Sequence, residues 1–186
     1  LFEMKIFNKF LCIKDFNDKY KDKFIFLDAD ALIINRFDEI FNEHFEIGVT
    51  VRPEKEWSLK HNDCKILNAG VLMFLGDYEK NKIFIRAWEK ELQKTDEIMC
   101  EQTALTRFLY KKNPEIFKNK KNVQIIPIEE KSFYIRVFPC EIYNYNWIER
   151  FDIEKDKNVV KILHFKSGRF KRLELEKIID RINTEI

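Results

Sequence analysis

The sequence predicts an α/β domain with a largely parallel sheet flanked by helices. Three observations carry this. Short apolar runs alternate with stretches of helical periodicity, which is the signature of alternating strand and helix. The runs are apolar on both faces, as in strands covered on both sides. Several of them end abruptly in polar residues, at the strand ends where α/β sheets bind ligands.

In chain order, residues 2–20 place Phe2, Ile6, Phe7, Phe10, Leu11 and Ile13 near helical spacing. Residues 23–27 form an apolar run that stops at Asp28 and reads as a buried strand. A second short run covers Ala31 to Ile34, and Phe37, Ile40 and Phe41 suggest a helical turn. Ile47 to Val51 reads as a strand, and Ile66 to Phe74 as a strand interrupted by Gly70. Tyr78, Ile83, Phe84, Ala87, Trp88 and Leu92 recur at helical intervals with Lys and Glu between them, so 78–94 is an amphipathic helix. A second helix is expected over 100–111. Val123 to Ile126 and Val160 to Leu163 are strand candidates, and 173–186 a closing helix.

Composition bounds the function. The chain has 186 residues, with 34 Lys+Arg against 32 Asp+Glu and a net charge of +2, which fits one domain and argues against a nucleic-acid coat. No apolar run reaches the ~18 residues of a spanning helix. Cys12, Cys64, Cys100 and Cys140 are scattered without a C-x-x-C pair, which disfavours structural zinc and a disulfide framework. His44 and His61 have no partners at ligand spacing and read as structural. There is no N-x-Ser/Thr sequon and no visible signal peptide, so the expected location is the cytoplasm, including the inner face of a membrane. The 18 Phe, with abundant Lys, Asn and Ile, reflect codon bias rather than function.

Five stretches could carry chemistry. Asp28-Ala29-Asp30 puts two carboxylates at i and i+2 after a strand, where both can reach one divalent cation. An acidic solvated loop has the same pattern. His164 also follows an apolar run and precedes Gly168 and the cations Lys166, Arg169 and Lys171. That is either a place for an anionic ligand or a structural His beside a basic face. Gly70, in Asn68-Ala69-Gly70, signals close backbone approach to a ligand or strand, or a β-bulge. Glu101 and Gln102 could bind sugar hydroxyls or cap a helix. Pro139 to Trp147 is rich in aromatic and amide side chains, suited to a carbohydrate face or to ordinary loop packing.

Taken in order, these stretches resemble the nucleotide-sugar glycosyltransferases of the GT-A fold, most closely family 8 and its galactosyl- and glucosyltransferase relatives. Residues 24–34 are similar to that family's strand plus D-x-D, and 67–73 to its N-A-G-V segment. Glu101-Gln102 matches its Asp-Gln pair, 143–147 its aromatic-amide loop, and His164-Phe165 its metal-ligand histidine motif. The resemblance spans about residues 5–175. It implies a GT-A-like, Rossmann-like mixed sheet and one domain over 1–186. It implies transfer of a hexose from a nucleoside-diphosphate sugar, a UDP-sugar first, to a glycan, lipid-linked or protein acceptor. Retention of configuration is implied too, as is compatibility with peripheral membrane association. Asp28, Asp30 and His164 would hold Mn²⁺ or Mg²⁺. Asn68, Ala69 and Gly70 would line the donor sugar, with Asp28, Gly168, Lys171 and Lys9 also at the donor. Glu101 and Gln102 would be the catalytic pair.

Three features depart from the family. The H-x-x-G spacing is one residue longer here, Glu101 stands for Asp, and only 27 residues precede Asp28. The resemblance therefore implies an N-terminally incomplete domain, the C-terminal two-thirds of a whole one. The alternatives are a non-catalytic sugar-binding remnant and a D-x-D phosphohydrolase. The phosphohydrolase motif wants Thr or Val where this chain has Leu32.

Overall fold

A computed structural model describes residues 8–57, 66–95, 100–165 and 179–180. Among these, helix α1 spans Asn8–Tyr20, followed by strands β1 (Phe24–Leu27), β2 (Ala31–Ile33), β3 (Ile47–Val51) and β4 (Leu67–Phe74). Helices α2 (Tyr78–Leu92) and α3 (Cys100–Lys112) come next, then β5 (Gln124–Ile128) and β6 (Lys131–Pro139). The short helices α4 (Cys140–Tyr143) and α5 (Ile153–Asp156) lead to β7 (Ile162–His164). The helix expected over 173–186 lies outside the described residues, apart from a helical pair at 179–180.

The main sheet has five strands in the order β1-β4-β3-β6-β5. Its β3–β6 pair is parallel, while β1–β4, β3–β4 and β5–β6 are antiparallel. The α/β class holds, but the largely parallel sheet does not. The physical reason is that an apolar run covered on both faces looks the same in either direction; it reports burial and not polarity. β1 also differs from the buried strand expected: it lies at the sheet edge with all four residues half-buried. β6 carries no strand expectation from the sequence, yet it pairs with both β3 and β5.

The core packs on both faces of this sheet. Phe10 and Ile13 of α1, Phe84 and Trp88 of α2 and Leu105 and Leu109 of α3 pack on one face with Leu67, Ala69, Leu72 and Phe74. Val71 and Met73 face the other way, with Ile40, Phe45, Phe138 and Ile162. The β4 side chains change parity between Ala69 and Leu72. The β3–β4 register shows the cause: Val49 sits opposite Leu72, but Val51 sits opposite Leu67. The irregularity thus falls on residues 68–71. Trp88 ties the three helices together. It is fully buried, meets Phe10 edge-on at 5.0 Å and donates its indole N–H to the Glu101 carbonyl at 2.9 Å.

The β2–β7 pair is a separate two-stranded ribbon. Its antiparallel register sets Ala31 opposite His164. This ribbon joins residues 31–33 to residues 162–164, far apart in the sequence. Among the described residues, no helix is long and apolar enough to cross a membrane.

Candidate metal centre

The Asp28-Ala29-Asp30 turn begins where β1 ends. Asp28 N–H donates to Gly70 carbonyl at 2.9 Å, the last rung against β4, and Ala31 N–H donates back to Asp28 carbonyl at 2.9 Å. The turn hands the chain to β2, and there Phe165 N–H donates to Asp30 carbonyl at 2.8 Å. Backbone bonding thus holds Asp30 beside His164, which comes 134 residues later in sequence.

The three side chains meet. His164 Nε2 lies 3.6 Å from Asp28 Oδ2 and 3.3 Å from Asp30 Oδ1. One donor atom from each of the three lies within 4.8 Å of the others. Ligands adjacent around one small divalent ion, at bonds of about 2.1 Å, stand roughly 3 Å apart. The spacing therefore fits a single cation. The donor set of two carboxylates and one imidazole suits Mn²⁺ and, less closely, the oxygen-loving Mg²⁺. Access is graded: the His164 side chain is 8% exposed and that of Asp30 36%, so the cluster opens to solvent on the carboxylate side.

Gly70 makes room for this. A Cβ there would stand 2.5 Å from His164 Nδ1, closer still to Cε1, and 3.2 Å from Asp28 Oδ2. Its φ is not in the left-handed range, so the glycine serves space and not backbone freedom. β4 is irregular here, as the bulge reading of Gly70 expects, whereas what packs against the glycine is the His164 side chain.

Lys9 on α1 reaches the same carboxylate. Its ammonium lies 2.8 Å from Asp28 Oδ1, donates to Oδ2 at 2.9 Å and donates to the Ala69 carbonyl at 3.3 Å. Gln102 on α3 is buried and accepts from Ala69 N–H at 3.0 Å, while Asn68 Oδ1 accepts from Gly70 N–H at 3.2 Å. The irregular segment of β4 is thus pinned by Gln102 and by its own Asn68. Glu101 is held through its carbonyl by Trp88 and through its carboxylate by the Cys100 thiol at 3.6 Å. Gly168 and Lys171 lie outside the described residues, as do His61 and Cys64.

Two residues in this cluster carry no functional expectation of their own from the sequence. Asn144 Oδ1 lies 2.8 Å from His164 Nδ1. Its Nδ2 donates to Thr50 Oγ1 at 2.7 Å and to Asn68 carbonyl at 2.9 Å, and the Thr50 hydroxyl donates to the same carbonyl at 2.6 Å. The Pro139–Trp147 stretch therefore runs beside the ribbon: Tyr145 N–H donates to Ile162 carbonyl and His164 N–H to Tyr145 carbonyl. The signal the sequence offers is slight: Thr50 is the one polar side chain in the run Ile47–Val51, and Asn144 is one amide within the aromatic-amide stretch.

The thiols stand apart from this chemistry. Burial pushes Cys140 up to about 12, and burial with the Glu101 carboxylate pushes Cys100 up to about 11. Both are free, buried thiols, not nucleophiles.

Comparison of the sequence with protein-family profiles gives no match, and comparison with curated proteins gives none. Among solved structures, the chain is similar to the glycosyltransferase GlyE of Streptococcus pneumoniae TIGR4, with a TM-score of 0.46 and 16% identity over 92% of this chain. The match covers 45% of that chain, so this one spans just under half its length.

Proposed function

We propose that this chain carries the metal- and donor-handling part of a glycosyltransferase that moves a hexose from a nucleoside-diphosphate sugar to an acceptor hydroxyl, with retention. The observation that carries the reading is the convergence of Asp28, Asp30 and His164 on one point, with Nε2 toward both carboxylates. The order of the D-x-D, N-A-G, Glu-Gln and histidine stretches supports it.

Asp28, Asp30 and His164 would hold Mn²⁺ or Mg²⁺. Bound there, the cation supplies Lewis-acid stabilisation of a diphosphate leaving group. The residues of the chain do the rest. Lys9 brings a positive charge to the edge of the carboxylates, where it would meet the donor. Segment 68–70 would line the donor side of the site, with Glu101 offering a carboxylate to sugar hydroxyls and the buried Gln102 holding that segment through Ala69 N–H. Gly168 and Lys171 would complete the phosphate contacts. The donor of first choice is a UDP-sugar, and the acceptor is a glycan, a lipid-linked sugar or a protein. A D-x-D phosphohydrolase fits less well, because it wants a later acidic pair after a strand and β7 delivers a histidine.

The test is donor hydrolysis by the purified chain, with Mn²⁺ or with EDTA, across a panel of nucleotide sugars. The expected result is metal-dependent release of nucleoside diphosphate from one donor, abolished by Asp30→Asn and by His164→Ala. Release that persists in EDTA or in both variants overturns the reading.

A further inference from the structure

We propose that Asn144, backed by Thr50, is the positioning residue that makes His164 a ligand through Nε2. Hydrogen-bond polarity assigns the atoms in turn. The Asn68 carbonyl can only accept, so the Asn144 atom 2.9 Å from it is the amide nitrogen. Thr50 Oγ1, 2.7 Å from the same nitrogen, gives its own proton to the Asn68 carbonyl and so accepts from Asn144. That leaves Asn144 Oδ1 facing the ring. An amide oxygen can only accept, so His164 Nδ1 carries the hydrogen across the 2.8 Å contact. In the neutral ring the lone pair is then on Nε2, the atom 3.3 Å from Asp30 and 3.6 Å from Asp28.

A cation held by the two carboxylates, as in the proposed function, would take that lone pair. Asn144 is fully buried, at 0% exposure, and the Asn68 carbonyl it bonds belongs to the irregular segment of β4 next to Gly70. One amide therefore connects β3, β4 and β7 and fixes both the tautomer and the tilt of the ring. Outer partners of this kind typically change metal affinity by about 10–100-fold when removed.

The tautomer part stands on its own; the metal part rests on the reading above. Two measurements separate them. Nitrogen NMR of the ¹⁵N-histidine-labelled, metal-free chain, with the ring neutral and His164 assigned against His164→Asn, reports the tautomer directly. The expected signature is Nδ1–H, and an Nε2–H ring overturns the proposal whatever the chain does with metal. Mn²⁺ titration followed by electron paramagnetic resonance then compares the natural chain with Asn144→Ala, Asn144→Asp and Thr50→Val. Asn144→Ala is expected to weaken Mn²⁺ about 10–100-fold. Asn144→Asp keeps an acceptor toward Nδ1 and is expected to recover most of that affinity. Equal affinity in the natural chain and Asn144→Ala refutes the positioning role. A natural chain that shows the Nδ1–H tautomer but no Mn²⁺ binding overturns the metal reading and leaves the orienting role of Asn144 supported.

Discussion

Gly70→Ala is the sharpest test of how the centre is built. The added methyl would overlap the His164 ring, at 2.5 Å from Nδ1 against the ~3.5–4.0 Å of relaxed contact. β4 cannot yield easily. Gly70 carbonyl is bonded to Asp28 N–H and Ala69 N–H to Gln102. So the ring must move. Overpacking of this kind costs about 1–3 kcal/mol. A displaced ring also leaves Asn144 Oδ1 buried without its donor, another 1–3 kcal/mol or so. Together these come to about 2–6 kcal/mol, and at about 2–4 °C per kcal/mol for a chain of this size, calorimetry should show melting roughly 4–24 °C lower. The cause is separable from generic damage by a double-mutant cycle. In a His164→Ala background the clash is gone, and Gly70→Ala should cost far less, with a coupling energy above about 1 kcal/mol. Equal losses in both backgrounds, or no loss in the natural one, would refute the steric account of Gly70.

Other consequences follow from the same geometry. Lys9→Met removes the ammonium bound to Asp28 and should tighten Mn²⁺ about two- to fivefold, the size of a partly screened ion pair, in calorimetric titration; weaker binding would mean that Lys9 orders the carboxylate rather than competing for it. Gln102→Ala leaves the buried Ala69 N–H without its acceptor and should destabilise the chain by about 1–3 kcal/mol in urea unfolding. Cys12 is exposed and should label quickly with a maleimide at neutral pH, whereas Cys100 and Cys140 should label only on unfolding. These two thiols also give an alkaline limit. Their folded values of about 11 and 12 lie above the ordinary 9.0, so the unfolded chain sheds its protons first. Their contribution is complete below pH 9.0 and is lost as the pH rises toward 11–12, which pH-dependent melting would detect as a fall over that window.

The parts of the fold legible in the sequence were those where one residue type has one meaning. Phe24–Leu27 could end only where Asp28 begins, and the spacing of Ile83, Phe84, Trp88 and Leu92 leaves little but a helix. The meeting of Asp28, Asp30 and His164 was legible only through the order of motifs, because nothing local to residue 164 says what lies opposite it. Strand direction was not legible, since Phe24–Leu27 and Ile47–Val51 are apolar whichever way their neighbours run. β6 was readable in principle: Phe133, Ile135 and Val137 alternate inward along it. Its turn from β5 runs through Glu129, at φ 54, where no glycine or asparagine announces a hairpin. Thr50 and Asn144 escaped for a deeper reason. A buried polar residue takes its meaning from its partners, and theirs lie 18 and 94 positions apart along the chain.

The ribbon formed by β2 and β7 sets a timetable. Every strand of the main sheet has been synthesised by Pro139, while the imidazole of the centre arrives only at His164. At about 5–20 residues per second, those 25 residues take roughly 1–5 s. During that interval the nascent chain has its acidic turn and also Lys9, encoded early enough to neutralise Asp28 at once. The strands of the sheet are thus complete before the three proposed metal ligands are. Metal binding, as proposed, would follow the closing of the ribbon rather than precede the sheet.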